Sequence, residues 1–110
     1  MLSKPYKKQP WEQETVRVDW AQRITSLPIS GFVIAGVACI IFDSSAADVS
    51  SAMLEGVPTY SGTYVYLTIK GGTDSNNYHA RIRVTLTKDG ADTQYQEEDL
   101  LIIVKQEGKA

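Results

Sequence analysis

Few residues in this chain could carry out chemistry, and their spacing does not bring them together. There is one histidine, His79, and one cysteine, Cys39. A nucleophilic Cys–His pair needs both side chains within hydrogen-bond reach. Cys39 sits in the apolar run Val37-Ala38-Cys39-Ile40-Ile41-Phe42, the setting of an inert, buried or half-buried thiol. His79 falls on the outward side of a long alternating run, where its next neighbours are Arg81 and Arg83. Two cations there do not orient a general base. Glu97, Glu98 and Asp99 are consecutive, so their side chains diverge rather than flank a scissile bond. They read as a solvated acidic patch, or as charges that blunt a sheet edge. Asp74-Ser75-Asn76-Asn77 offers oxygen ligands without the spacing of a calcium loop. Gly71-Gly72-Thr73 lacks the Lys-Ser/Thr and the helix of a phosphate loop. No catalytic residue, metal site, cofactor or small-molecule substrate is expected.

The elements around these residues are strands. From 64 to 104, three runs alternate with period two. Val65, Leu67 and Ile69 share one side of the first. Tyr78, Ala80, Ile82, Val84 and Leu86 share one side of the second, and Leu100, Ile102 and Val104 one side of the third. Ile82, Val84, Ile102 and Val104 are assigned to the core. Tyr64 and Tyr66 then point outward, as cross-strand packing or as contact residues. Leu101 and Ile103 also point outward, under an N-terminal arm or in an assembly surface. Lys88-Asp89-Gly90 signals a hairpin. Residues 15–20 alternate as a first strand, with Trp20 as a core anchor. Residues 21–26 form an irregular connection with at most one helical turn. Residues 29–35 and 37–42 read as two strands with a tight join at Gly36, or as one long bent strand that changes sheet. Residues 46–53 are a short edge strand or a helical turn, and Gly56-Val57-Pro58 is a break. The fold class expected is all-β, a sandwich of about seven strands.

The chain has 110 residues, enough for one core. Hydrophobic residues make up 43% and charged residues 22%, which fits a soluble globular domain rather than disorder. Thirteen acidic against eleven basic residues argue against a nucleic-acid footprint. The apolar window 27–42 is too short and too interrupted by Pro and Gly for a spanning helix, so no membrane partner is expected. Residues 1–14 lack the apolar stretch of a signal peptide, so the chain is expected to be made and kept in the cytoplasm. Residues 1–12 read as an extended N-terminal arm, 13–105 as one β-sandwich domain, and 106–110 as a short tail. Pro5 and Pro10 keep the arm extended. Its Lys4, Lys7 and Lys8 are solvated. Its aromatics Tyr6 and Trp11 dock on a neighbouring subunit, or Trp11 covers the bottom of the domain's own core.

Two resemblances follow from these residues. The run from Tyr64 to Leu86, with Tyr78 opening a long strand after a Gly-Gly-Thr loop, resembles an immunoglobulin-like or fibronectin type III-like sandwich. The order Lys8-Gln9-Pro10, Val18-Asp19-Trp20, Gly71-Gly72-Thr73, Tyr78, Thr85-Leu86-Thr87, Ile102-Ile103-Val104 resembles the small structural proteins of tailed bacteriophages, the fibre–tail adaptor or neck–tail accessory group. Residues 44–62 carry no recognisable element of that pattern. The resemblance implies a non-enzymatic virion protein of the tail or neck. It would be a homo-oligomer in the particle and would contact other virion proteins by its arm and sheet edges. The alternative is a carbohydrate- or surface-binding module, for which Tyr60, Tyr64 and Tyr66 would have to form an exposed row.

Overall fold

Strand β6 (Asn76–Lys88) sets the architecture, because its alternation buries one whole side. Tyr78, Ala80, Ile82, Val84 and Leu86 are all buried. The computed structural model describes residues 5–89 and 92–106. In chain order the other elements are β1 (Tyr6–Lys8), β2 (Glu14–Asp19), α1 (Ala21–Thr25), β3 (Val33–Phe42), α2 (Ser50–Met53), β4 (Thr59–Ser61), β5 (Tyr64–Ile69) and β7 (Asp92–Val104). The strands form two sheets, ordered β1-β7-β6-β3 and β2-β5-β4. β1 runs parallel to β7; every other pairing is antiparallel. The fold is thus all-β, two facing sheets with seven strands in total.

The inner faces meet in one core. Val65, Leu67 and Ile69 of β5 face the inner set of β6, with Leu100, Ile102 and Val104 of β7 beside it, and all are buried. Each such aliphatic side chain contributes about 1.5–3 kcal/mol on removal from water. Trp20 is fully buried, and its indole N–H donates to Gln96 Oε1 at 2.8 Å. Gln96 Nε2 in turn donates to the Arg23 carbonyl at 3.0 Å, which ties α1 to β7. At the corner before β6, the Thr73 N–H donates to the Tyr78 hydroxyl at 2.9 Å. Gly72 makes this corner possible: its φ is +93°, and a Cβ there would lie 2.8 Å from Val104 Cγ2.

Several elements differ from their sequence-based reading. Residues 6–8 of the expected arm are a strand of the domain's own sheet. Residues 29–42 are neither two strands nor a strand that changes sheet. They contain one strand, β3, with a register shift between Ile34 and Gly36, paired throughout with β6. Gly31, at φ +98°, turns the chain just before it. Of the two readings of residues 46–53, the helical turn is the one formed, as α2, which buries Met53; β4 leaves no signal in the sequence, since its three residues are too few to show alternation. Glu97-Glu98-Asp99 lies within β7: Glu97 is exposed as expected of a solvated patch, while Asp99 and Glu98 are half-buried. Lys88 closes β6 and Asp89 adopts φ +54°; Gly90 of the expected hairpin lies outside the described residues.

Two glycine variants separate steric from backbone strain. Gly72→Ala is expected to lower the unfolding free energy by roughly 2–4 kcal/mol, from positive φ and overpacking together. Gly56 also has positive φ, but nothing lies within 4 Å of a Cβ there. Gly56→Ala is expected to cost only about 1 kcal/mol. Urea denaturation measures both, and equal losses contradict the packing role given to Gly72.

Candidate interaction site

The outer face of the larger sheet is built from the odd-numbered positions of β6 and β7. Arg83 Nε donates to Glu97 at 2.7 Å and Arg81 Nε to Asp99 at 3.4 Å, with a further Arg81–Glu97 approach at 3.8 Å. Glu98 turns the other way and pairs with Arg23 of α1. The three acids therefore hold strands and α1 together. Single exposed pairs are worth under ~1 kcal/mol, but here they interlock across neighbouring strands. His79 stacks on Phe42, with ring centroids 5.3 Å apart, and the Arg81 guanidinium lies 5.0 Å from the Phe42 centroid. This histidine packs against a ring on the outer face. The Cys39 thiol is half-buried, and burial pushes it up to about 12, away from thiolate chemistry.

The remaining contact candidates separate into two groups. On the smaller sheet, Tyr64 and Tyr66 are half-buried. The Arg17 guanidinium lies 4.4 Å from the Tyr64 ring centroid. The Tyr60 hydroxyl donates to the Ala35 carbonyl at 2.9 Å. Tyr60 is in register with the inward Val65, on the opposite face from Tyr64 and Tyr66, so the three tyrosines do not form one row. The second group gathers at the end of the domain where β1 and β7 finish. Leu101 and Ile103 are half-buried on the outer face, and Ile103 is in register with Lys7 of β1. A hollow there is lined by Lys7, Lys8, Gln9, Glu12, Ile103 and Lys105. Trp11 stands beside it in the 9–13 connection and is 93% exposed. It does not cover the core. The Gln9–Glu12 turn, closed by Glu12 N–H to Gln9 O at 3.1 Å and Gln9 N–H to Glu12 Oε1 at 2.6 Å, leaves the indole outside.

Lys8 corrects the picture of a solvated basic arm. It is 3% exposed. Its ammonium donates to the carbonyls of Gly71 at 2.5 Å, Gln9 at 2.6 Å and Pro10 at 3.4 Å. Burial pulls its pKa down, and the charges of Glu12 and Glu14 offset part of that. Tyr6 packs partly against the core, and its hydroxyl donates to Glu14 Oε1 at 2.6 Å. Burial first, then Glu14, raises the Tyr6 pKa. The signal in the sequence was the alternation of Tyr6 and Lys8 between two prolines, too short to read as a strand. Trp20, Tyr78, Ile82, Val84, Ile102 and Val104 all lie in the core.

Among the described residues no three His, Cys, Asp or Glu side chains converge as metal ligands, and no helix is long and apolar enough to cross a membrane. A family model described as "Podophage GP4 fiber-tail adaptor protein gp77" matches residues 8–96. No curated protein and no solved structure matches the chain.

Two outcomes follow from these environments. Lys8→Ala removes charge-assisted hydrogen bonds worth roughly 1.5–3 kcal/mol, offset in part by the desolvation it relieves. Hydrogen exchange is expected to rise at Tyr6–Lys8 and at Lys105, whose N–H donates to the Lys8 carbonyl, while β6 stays protected; uniform loss of protection contradicts a local latch. The pH dependence has a definite sign. The Cys39 pKa is raised from 9.0 to about 12, so its stabilising contribution is complete below pH 9 and is lost as pH rises toward 12. Tyr6 acts in the same direction above 10, while Lys8, with its pKa lowered from 10.5, acts the other way just below that value. Cys39→Ala is expected to flatten the alkaline decline measured by thermal unfolding between pH 8 and 11. An unchanged slope rules out the cysteine as its source.

Proposed function

We infer the function from one premise: the chain belongs to the podophage GP4 fibre-tail adaptor family, whose model covers residues 8–96. It is a non-enzymatic structural protein of the virion tail. That match is the observation on which the reading rests. We propose further that the chain works as an oligomer between other tail or neck proteins. The end formed by β1, the 9–13 connection and the close of β7 would be its main contact surface. The exposed Trp11 supports this, since a large, rigid aromatic is the residue type that most often anchors an interface. The half-buried Ile103 lines the hollow with Lys7 and Lys105, and Leu101 lies two positions back on the same face of β7. Before assembly the chain would reside in the host cytoplasm.

We also read the sandwich as immunoglobulin-like. The order β7-β6-β3 opposite β2-β5-β4 corresponds to strands G-F-C opposite B-E-D, with β1 in the place of an A strand on G. Tyr78 near the start of β6, bonded back to Thr73, supports the same reading as a tyrosine corner.

Co-purification with the tail and fibre proteins of the same phage tests the contact end. Trp11→Ala is expected to weaken that binding tenfold or more. Tyr95→Ala removes an equally prominent aromatic from the far end of β7 and is expected to leave binding unchanged. Equal effects of the two substitutions, or none from Trp11→Ala, contradict the placement of the interface.

A further inference from the structure

Resting on the adaptor reading above, we propose that β1 is an exchangeable strand: when copies of the chain associate with one another, Tyr6–Lys8 of one copy adds to β7 of a second copy. It takes the slot that each copy's own β1 fills when the chain is alone. Exchange of this kind needs a weakly held terminal element, a receiving site reproduced in every copy, and a connection free to redirect the chain.

β1 meets the first condition. Among the described residues it pairs over three, at a sheet edge, from Tyr6↔Ile102 to Lys8↔Val104. It brings no aliphatic side chain to the core; Tyr6 is half-buried, and Lys8 ends in a charge that water solvates readily. By contrast β2 could not leave without exposing Val18 and the adjoining Trp20, both buried.

The receiving site is reproducible. Two of the three carbonyls around the Lys8 ammonium, Gln9 and Pro10, travel with β1. Gly71 belongs to the receiving domain, as do Glu14 for the Tyr6 hydroxyl, the Lys105 N–H for the Lys8 carbonyl and Gln106 Nε2, which donates to Gln9 Oε1. A second copy presents the same groups, so exchange leaves no buried charge without its acceptors.

The connection is the third element. Residues 9–13 join the two sheets, contain Pro10, and carry Trp11, which nothing in its own copy covers. In an exchanged assembly this segment lies where two copies meet. The opposite edge of the same sheet is obstructed. On β3, the Ile41 N–H donates to Ser50 Oγ, the Ile41 carbonyl accepts from the Val49 N–H, and the Tyr60 hydroxyl covers the Ala35 carbonyl. The contact joins β1 of one copy to β7 of another, so exchange is either reciprocal within a dimer or passes from copy to copy in a ring or filament.

A cysteine pair distinguishes exchange from pairing within one copy. Lys7 and Ile103 are register neighbours on β1 and β7. In a Cys39→Ser background, one tagged chain carries Lys7→Cys and a second, differently tagged chain carries Ile103→Cys. The two are co-expressed and oxidised, or treated with a short bismaleimide. The expected result is a covalent adduct of the two tags. A chain carrying both substitutions serves as reference and links within itself when β1 stays at home. No adduct between the tags, with internal linkage in the reference chain, overturns the proposal. A chain that remains a single copy at all concentrations overturns it too. Binding to tail and fibre proteins can persist with β1 in its own copy, so the adaptor reading and the exchange fail separately.

Discussion

Keeping the inner face of β6 away from water is the constraint on which the rest of the structure depends. Tyr78, Ala80, Ile82, Val84 and Leu86 can be covered only if β7 and β3 pair with both edges of β6 and the β5 sheet lies across it. Register is part of the same requirement. A slip of one residue would turn the buried aliphatics outward and bring His79, Arg81 and Arg83 into the core. The outer ion pairs reinforce the register, since Arg81 and Arg83 meet Asp99 and Glu97 in the observed alignment. Trp20 closes the core beside α1, and the Thr73–Tyr78 bond fixes the corner at which the chain enters β6.

The β1 end is governed by different forces. Among the described residues it is held by polar contacts and the partly buried Tyr6 ring rather than by aliphatic area, and its largest side chain, Trp11, lies in water. Lys8 links the two regimes. Its stem lies in a slot beside the core, while its ammonium satisfies three carbonyls that would otherwise lose water. This gives the domain a rigid body and one end where adhesion is local. For a tail adaptor such a division is useful: the core can stay unchanged while the end is occupied by another chain.

Much of the rigid body was legible in the sequence because one-sided burial leaves a period-two record. Val16 to Trp20, Val65 to Ile69 and Tyr78 to Leu86 alternate over enough residues to be read directly. β3 was harder, since Val37 and Cys39 as well as Ile34 and Ile41 are apolar, and the shift at Gly36 breaks the count. β1 and β4 are three residues each, below the length at which a period shows. Lys8 was misread because a lysine is almost always solvated, and its cradle comes from Gly71, 63 positions away. Trp11 could equally have been a core cover or a contact residue. Only the turn from Gln9 to Glu12 decides which way it faces.

Electron cryomicroscopy of the intact tail addresses the central claim most directly: that this domain is a tail building block whose β1 end makes the contacts. The expected map places the two-sheet domain at the junction of fibre and tail, with Trp11 and the 9–13 connection buried against another virion chain. A map in which that end faces solvent, and the β2-β5-β4 sheet or the far end of β7 carries the contacts, contradicts it.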